Sequence, residues 1–148
     1  MVSTAERVPR HTAAEINRQI REQTLARLTW YAAHPEEIGL RLRQLDSEWD
    51  IERAIEANAS TIAFFGVALG AAVNRRWLLL PALVTGFLFQ HAIQGWCPPV
   101  PILRRMGFRT ADEINQERFA LKALRGDFDA ATEDDNRLLA ILRAVRLK

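Results

Sequence analysis

Between Ala57 and Leu103 the chain carries two uncharged runs, Ala57–Asn74 and Trp77–Leu103, separated only by Arg75 and Arg76. Charged residues return at once on both sides, so hydrophobic and polar positions are segregated along the chain. The break divides it into three segments: residues 1–56 with a tail and two amphipathic helices, an apolar hairpin over 57–103, and C-terminal helices over 104–148. Outside the hairpin the spacing is helical. Met1–His11 reads as a frayed polar tail. Thr12 and Glu15 have the spacing of a capping box, which satisfies free backbone N–H groups at a helix start. Ile16, Ile20, Leu28 and Tyr31 then recur at helical intervals to about Ala33. Pro35, with Glu36 and Glu37, suits the first turn of the next helix. That helix carries Ile38, Leu42, Leu45 and Trp49 as a narrow stripe, which fits packing on another helix or lying on a membrane surface.

Beyond the hairpin, Thr110-Ala-Asp-Glu113 is a second capping box, opening a helix with Ile114, Leu121 and Leu124. Lys122 and Arg125 fall in its last turn and Gly126 is placed as its C-cap. Asp127–Ala131 reads as a link. Thr132 and Glu133 open a final helix carrying Leu138, Leu142 and Val145, which ends on Arg143, Arg146 and Lys148. No segment alternates with the two-residue period of a strand. The pattern predicts an all-α chain: a two-helix transmembrane hairpin flanked by amphipathic cytoplasmic helices.

Length supports the membrane reading. The hydrocarbon core is about 30 Å thick and takes about 20 helical residues to cross. Trp77 and Trp96 stand nineteen residues apart, which in a helix separates them by about 28 Å. Tryptophan favours the two membrane interfaces. The first run is weaker. Ile62, Phe64, Phe65, Val67, Leu69 and Val73 each favour insertion by about 0.3–0.6 kcal/mol, offset by Asn58, Ser60, Thr61 and the glycines. It is therefore expected to insert with its partner.

Small residues supply the means of pairing. Gly66 and Gly70 form a GxxxG, and Ala82 and Gly86 repeat the spacing on the second run. In lipid, helices associate through close backbone approach rather than a hydrophobic drive. The stripes fit either self-association of protomers or packing within one hairpin. Gln90 and Gln94 extend the second stripe with His91 beside them, and polar groups at such depth face protein or water. The arrangement fits interhelical hydrogen bonding, or the lining of a permeation path. A soluble bundle that buries the same two runs is the alternative to a membrane protein.

Topology follows from the basic residues. Arg41, Arg43 and Arg53 precede the hairpin, and Arg104, Arg105, Arg109, Arg118 and Lys122 follow it, against Arg75 and Arg76 in the turn. The positive-inside bias puts both termini in the cytoplasm. Trp77, Trp96, Arg104, Arg105 and Arg109 are the expected interface anchors, the arginines on anionic headgroups.

Composition narrows the function. The 148 residues carry a net charge of only +2, with acids interleaved among the bases, which argues against a nucleic-acid partner. The single cysteine, Cys97, permits no intrachain disulfide, and three scattered histidines share no metal-ligand spacing. Neither a metal nor another cofactor is expected. The N-terminus lacks the apolar core of a signal peptide. Cys97 lies near Arg104 and Arg105 in sequence, and positive surroundings lower a thiol's pKa and make it a nucleophile or sulfur carrier. A small buried cysteine is the plainer reading. The acid-rich run Asp46–Glu56 fits a partner surface or an ordinary solvated helix face.

The Ala/Gly-rich first run, the short turn, and a second run closing in Gly95-x-Cys97-Pro98 resemble the YgaP-like transmembrane family of bacterial inner-membrane proteins. The resemblance covers about Ala54–Gly107. It implies a two-helix hairpin in the bacterial inner membrane, cytoplasmic termini and homodimerisation. Some members carry a rhodanese domain, but this chain has long charged flanking helices and no rhodanese loop after Cys97. The expectation is thus a non-enzymatic membrane protein, a homo-oligomeric scaffold or accessory subunit with the bilayer and another protein as partners. The alternatives are a sulfur-relay or small-anion transport component using Cys97 with the Gln90, His91 and Gln94 cluster, and a soluble helical interaction module.

Overall fold

The computed structural model describes residues 4–129 and Ile141, and all its regular elements are helices. The α-helices are α1 (Arg7–Arg10), α2 (Ala14–Ala33), α3 (Ile38–Ser47), α4 (Ile51–Ala72), α5 (Leu79–Gln94), α6 (Val100–Arg105) and α7 (Ala111–Leu124). Short 3-10 turns precede α1, α3 and α5. The expected final helix, from Thr132 onward, lies outside the described residues apart from Ile141. Contacts divide the chain into two compact units: residues to Ile20 with Trp49–Ala111, and Arg21–Glu48 with residues from Asp112 onward.

The first unit is built on α4 and α5. Asp50 caps α4, its Oδ1 accepting the Arg53 N–H at 2.7 Å, and the helix then runs 22 residues, about 33 Å. The chain turns at Asn74, whose Oδ1 accepts from the Arg76 N–H at 2.9 Å. A 3-10 turn over Arg75–Leu78 leads into α5. Two helical stretches, within Pro35–Ala72 and over Arg75–Gln94, are long and apolar enough to cross a membrane.

The two glycine stripes have different fates. A Cβ on Gly66 would stand 2.6 Å from Pro81 Cδ, and one on Gly70 would stand 2.6 Å from Leu78 Cδ2. Absence of a side chain at these two positions lets α4 approach the start of the second run. Gly86, by contrast, has nothing within 4 Å of its would-be Cβ. Gly66 and Gly70 therefore serve packing inside the chain, while Ala82 and Gly86 lie exposed.

The end of the second run differs from expectation. It is not one helix to the prolines. Gly95, at φ +76°, ends α5 in the left-handed conformation that glycine adopts without steric cost, its N–H donating to His91 O at 2.7 Å. Trp96 therefore lies off the helix. Pro98 and Pro99 instead introduce α6, with Pro99 at its N-cap.

The second unit is a small helical core of the ordinary kind. Ile38, Leu42 and Leu45 on α3 pack with Ile114 and Leu121 on α7, and Leu28 and Tyr31 of α2 cover them. The α3 stripe thus packs on helices. Trp49 does not extend it, lying beyond α3 and 46% exposed. Glu117 is fully buried in this core, bound by Arg27 Nη2 at 3.0 Å and Arg41 Nε at 2.9 Å. After α7, Gly126 at φ +81° takes the C-cap role the sequence assigns it.

Candidate functional site at the base of the helix pair

The end of the α4–α5 pair remote from the Arg75–Leu78 turn gathers most of the chain's candidate chemistry. Its apolar floor is a cluster of Val8, Ile51, Ala54, Ile55, Cys97, Val100 and Leu103, with Phe87, Leu88 and Phe108 against it. Within the expected tail, α1 is helical and joins this floor through Val8 rather than fraying. Val8 is buried in it, and Arg7 runs beside Gly95, where a Cβ would overlap the Arg7 backbone. Thr12 does not cap α2. Its hydroxyl donates back to Val8 O at 2.9 Å and finishes α1 instead.

Polar groups ring that floor in three sets. His91, buried near the end of α5, places Nε2 2.5 Å from Glu52 Oε2 on α4. The other ring nitrogen, Nδ1, is buried with no partner among the described residues. Arg7 lies 4.0 Å from the other Glu52 oxygen and also donates to Ala92 O. Gln90 and Gln94 do not join this set. They pair with each other at 3.4 Å on an exposed face, one turn apart, while His91 turns inward. The three residues of the expected polar cluster are thereby separated.

The second set corrects the expected anchors. Arg104 is only 1% exposed, its guanidinium donating to Phe108 O at 3.1 Å and Asn17 Oδ1 at 2.9 Å. Asn17 in turn donates to Pro9 O at 2.8 Å. Arg109 is buried as well, and its carbonyl accepts the Ile51 N–H at 2.8 Å where α4 begins. Both side chains are buried, which does not suit headgroup anchors, and Arg104 ties α6 to Asn17 of α2. Helical spacing is the reason: Arg104 shares the inward face of α6 with Val100, four residues before it. Arg105, Trp77 and Met106 are exposed, and Trp96 is half-buried. The acid-rich run Asp46–Glu56 likewise resolves into contacts within the units. Asp50 caps α4, Glu52 meets His91, and the Arg53 guanidinium lies 4.4 Å over the Trp49 ring. Asp46 and Glu48 pair with Arg118 and Arg41.

Cys97 is the third element. It is 2% exposed, and burial pushes its thiol pKa up, partly offset by a hydrogen bond at Val100, with the Glu52 charge adding a smaller upward push. A nucleophilic thiol needs the reverse. Beside it lies an apolar groove of about 470 Å³, walled by Ile55 and Ala59 of α4, Val84 and Phe87 of α5, and Cys97 and Ile102 below.

No family model, curated protein or solved structure matches the chain.

Little of this base was legible beforehand. Glu52–His91 joins residues 39 positions apart, a separation no local pattern encodes. Gly95 ahead of Trp-Cys-Pro-Pro was the readable signal for a left-handed helix end.

Proposed function

We propose that the chain is an integral membrane protein of the bacterial inner membrane, in which α4 and α5 form a transmembrane hairpin and the remaining helices lie in the cytoplasm. Its role is that of a non-enzymatic, homo-oligomeric scaffold or accessory subunit. One observation carries the reading: the helix pair wears its large apolar side chains outside. Phe64 is 68% exposed, Leu79 72% and Phe89 69%, while Gly66 and Gly70 occupy the interior. Water penalises such a surface, and lipid favours it. Arg75–Gln94 runs about 30 Å as a 3-10 turn and helix, the thickness of the hydrocarbon core.

The polar groups support a boundary at the base, since buried His91 and the partly exposed Glu52 and Arg7 cluster just beyond the uncharged part of α4. The resemblance to the YgaP-like family points the same way. The exposed Ala82 and Gly86 leave a face on which a second copy packs closely. Cys97, buried and with a raised pKa, lends no support to a sulfur relay.

Topology is tested with introduced cysteines, because Cys97 is too buried to report it. In a Cys97→Ala background, Asn74→Cys marks the turn and Met106→Cys the base. In intact spheroplasts a membrane-impermeant maleimide is expected to label position 74 alone, with 106 reacting only after the cells are opened. The reverse pattern overturns the cytoplasmic termini. Recovery of both variants in the soluble fraction overturns the membrane reading itself.

A further inference from the structure

We propose that the groove beside Cys97 is a binding site for one anionic phospholipid, an acyl chain lying in the groove and the phosphate resting on Arg105. The inference builds on the membrane reading above. The groove measures about 470 Å³, within the range of about 300–1,000 Å³ usual for ligand sites. Its walls are apolar except for Asn58, whose amide already donates to Ala54 O at 2.8 Å. Water in it would find almost none of the two to four polar partners an ordered water needs. Such a lining suits an apolar occupant.

The groove also opens in the right direction. Ile62, Leu83 and Ile102 line it and are nonetheless 44%, 57% and 60% exposed. Its mouth is therefore continuous with the outward apolar surface of α4 and α5, which the bilayer would cover. A chain already in that layer enters without crossing water. The headgroup end is specified by α6. Arg105 lies one turn beyond Ile102, on the same helical face, and is exposed with no ion pair or hydrogen bond among the described residues. Its neighbour Arg104 is turned inward and occupied. One exposed guanidinium a turn past the lining residue Ile102 matches one phosphate, and guanidinium–phosphate bonds are among the stronger polar contacts. Met106, 69% exposed, adds an apolar side chain beside it.

The test is native mass spectrometry of the full chain in mild detergent, titrated with phosphatidylglycerol and, separately, phosphatidylcholine of the same chains. The expected result is a one-to-one phosphatidylglycerol adduct, retained about tenfold more weakly by Arg105→Gln. Ala59→Phe, which fills the groove, is expected to abolish it. Val84→Phe is the second filler should Ala59→Phe lose its helical circular dichroism. In vesicles, a diazirine placed in the acyl chain is expected to crosslink to groove residues of α4, α5 and α6. Equal retention of both lipids, unchanged by Arg105→Gln, overturns the headgroup assignment. Crosslinks spread evenly over Phe64, Phe89 and the groove, with fillers bound as well as the native chain, overturn the site. So does a dimer that persists without lipid and excludes the probe from the groove. A chain that stays in solution without detergent overturns the membrane reading instead, whereas an embedded chain with no lipid adduct overturns only this inference.

Discussion

The α4–α5 pair and the α3–α7 core are inverted copies of one packing rule. In the second unit Ile38, Leu42, Leu45 and Leu121 are at most 2% exposed, and the charged residues that surround them face outward or pair. In the helix pair Phe64, Phe65, Leu79 and Phe89 stand outside while glycines face in. The first arrangement draws its stability from removing apolar area from water. The second cannot, because its apolar area stays exposed. It relies on backbone proximity at Gly66 and Gly70 and on whatever solvent meets the outer face. Within one chain the two patterns call for two solvents.

That contrast can be broken by mutation. The largest effect is expected at Glu117. Glu117→Gln removes the buried carboxylate that Arg27 and Arg41 share, which costs about 3 kcal/mol. Thermal unfolding of the detergent-solubilised chain, followed by circular dichroism, would read it as a clear loss of stability. Phe64→Ala, an equally drastic change on paper, is expected to stay within about 0.5 kcal/mol in the same assay. A large Phe64 effect would mean that the outer face is packed after all.

Next in size is the glycine test. Gly66→Ala drives a methyl against the rigid Pro81 ring and is expected to cost about 1–3 kcal/mol. Gly86→Ala meets nothing within its own chain and is expected to be neutral for the fold of the single chain, or to stabilise it by up to about 1 kcal/mol through helix propensity, its cost falling on association with a second copy. The two are compared by heat resistance of the folded chain in mild detergent. Equal effects would erase the distinction between an inner and an outer stripe.

The smallest effect concerns Cys97. Its thiol pKa is raised in the folded chain, so the folded state holds the proton more tightly than the unfolded one. The resulting stability is complete below the ordinary thiol value of about 8.5 and fades as pH rises through the higher folded value. Alkylation of the native protein by N-ethylmaleimide should accelerate only above the pH at which the unfolded chain reacts. Cys97→Ala should remove the corresponding alkaline loss in thermal stability. A native thiol that reacts fully at neutral pH would revive the sulfur chemistry.

The helical class and most helix positions were legible because periodicity and composition encode them locally. The glycine at 126 and the α3 stripe are examples. What stayed hidden depends on distant partners. Arg104 and Arg105 are neighbours of identical chemistry, yet one is locked to Asn17 and the other exposed. Only the phase of a six-residue helix separates them. Glu117 offered a clue: it falls on the same stripe as Ile114 and Leu121, and a charge in an apolar stripe implies a buried partner. Val8 offered none, as one apolar residue between Arg7 and Pro9 has no period to read.

The central claim is that the exposed apolar face of α4 and α5 meets lipid. Alkaline carbonate extraction of membranes from cells expressing the full chain tests it most directly. Retention of the protein in the membrane pellet, with release only by detergent, is the expected result. Release into the supernatant at high pH would contradict the claim and leave the helix pair to be covered by protein.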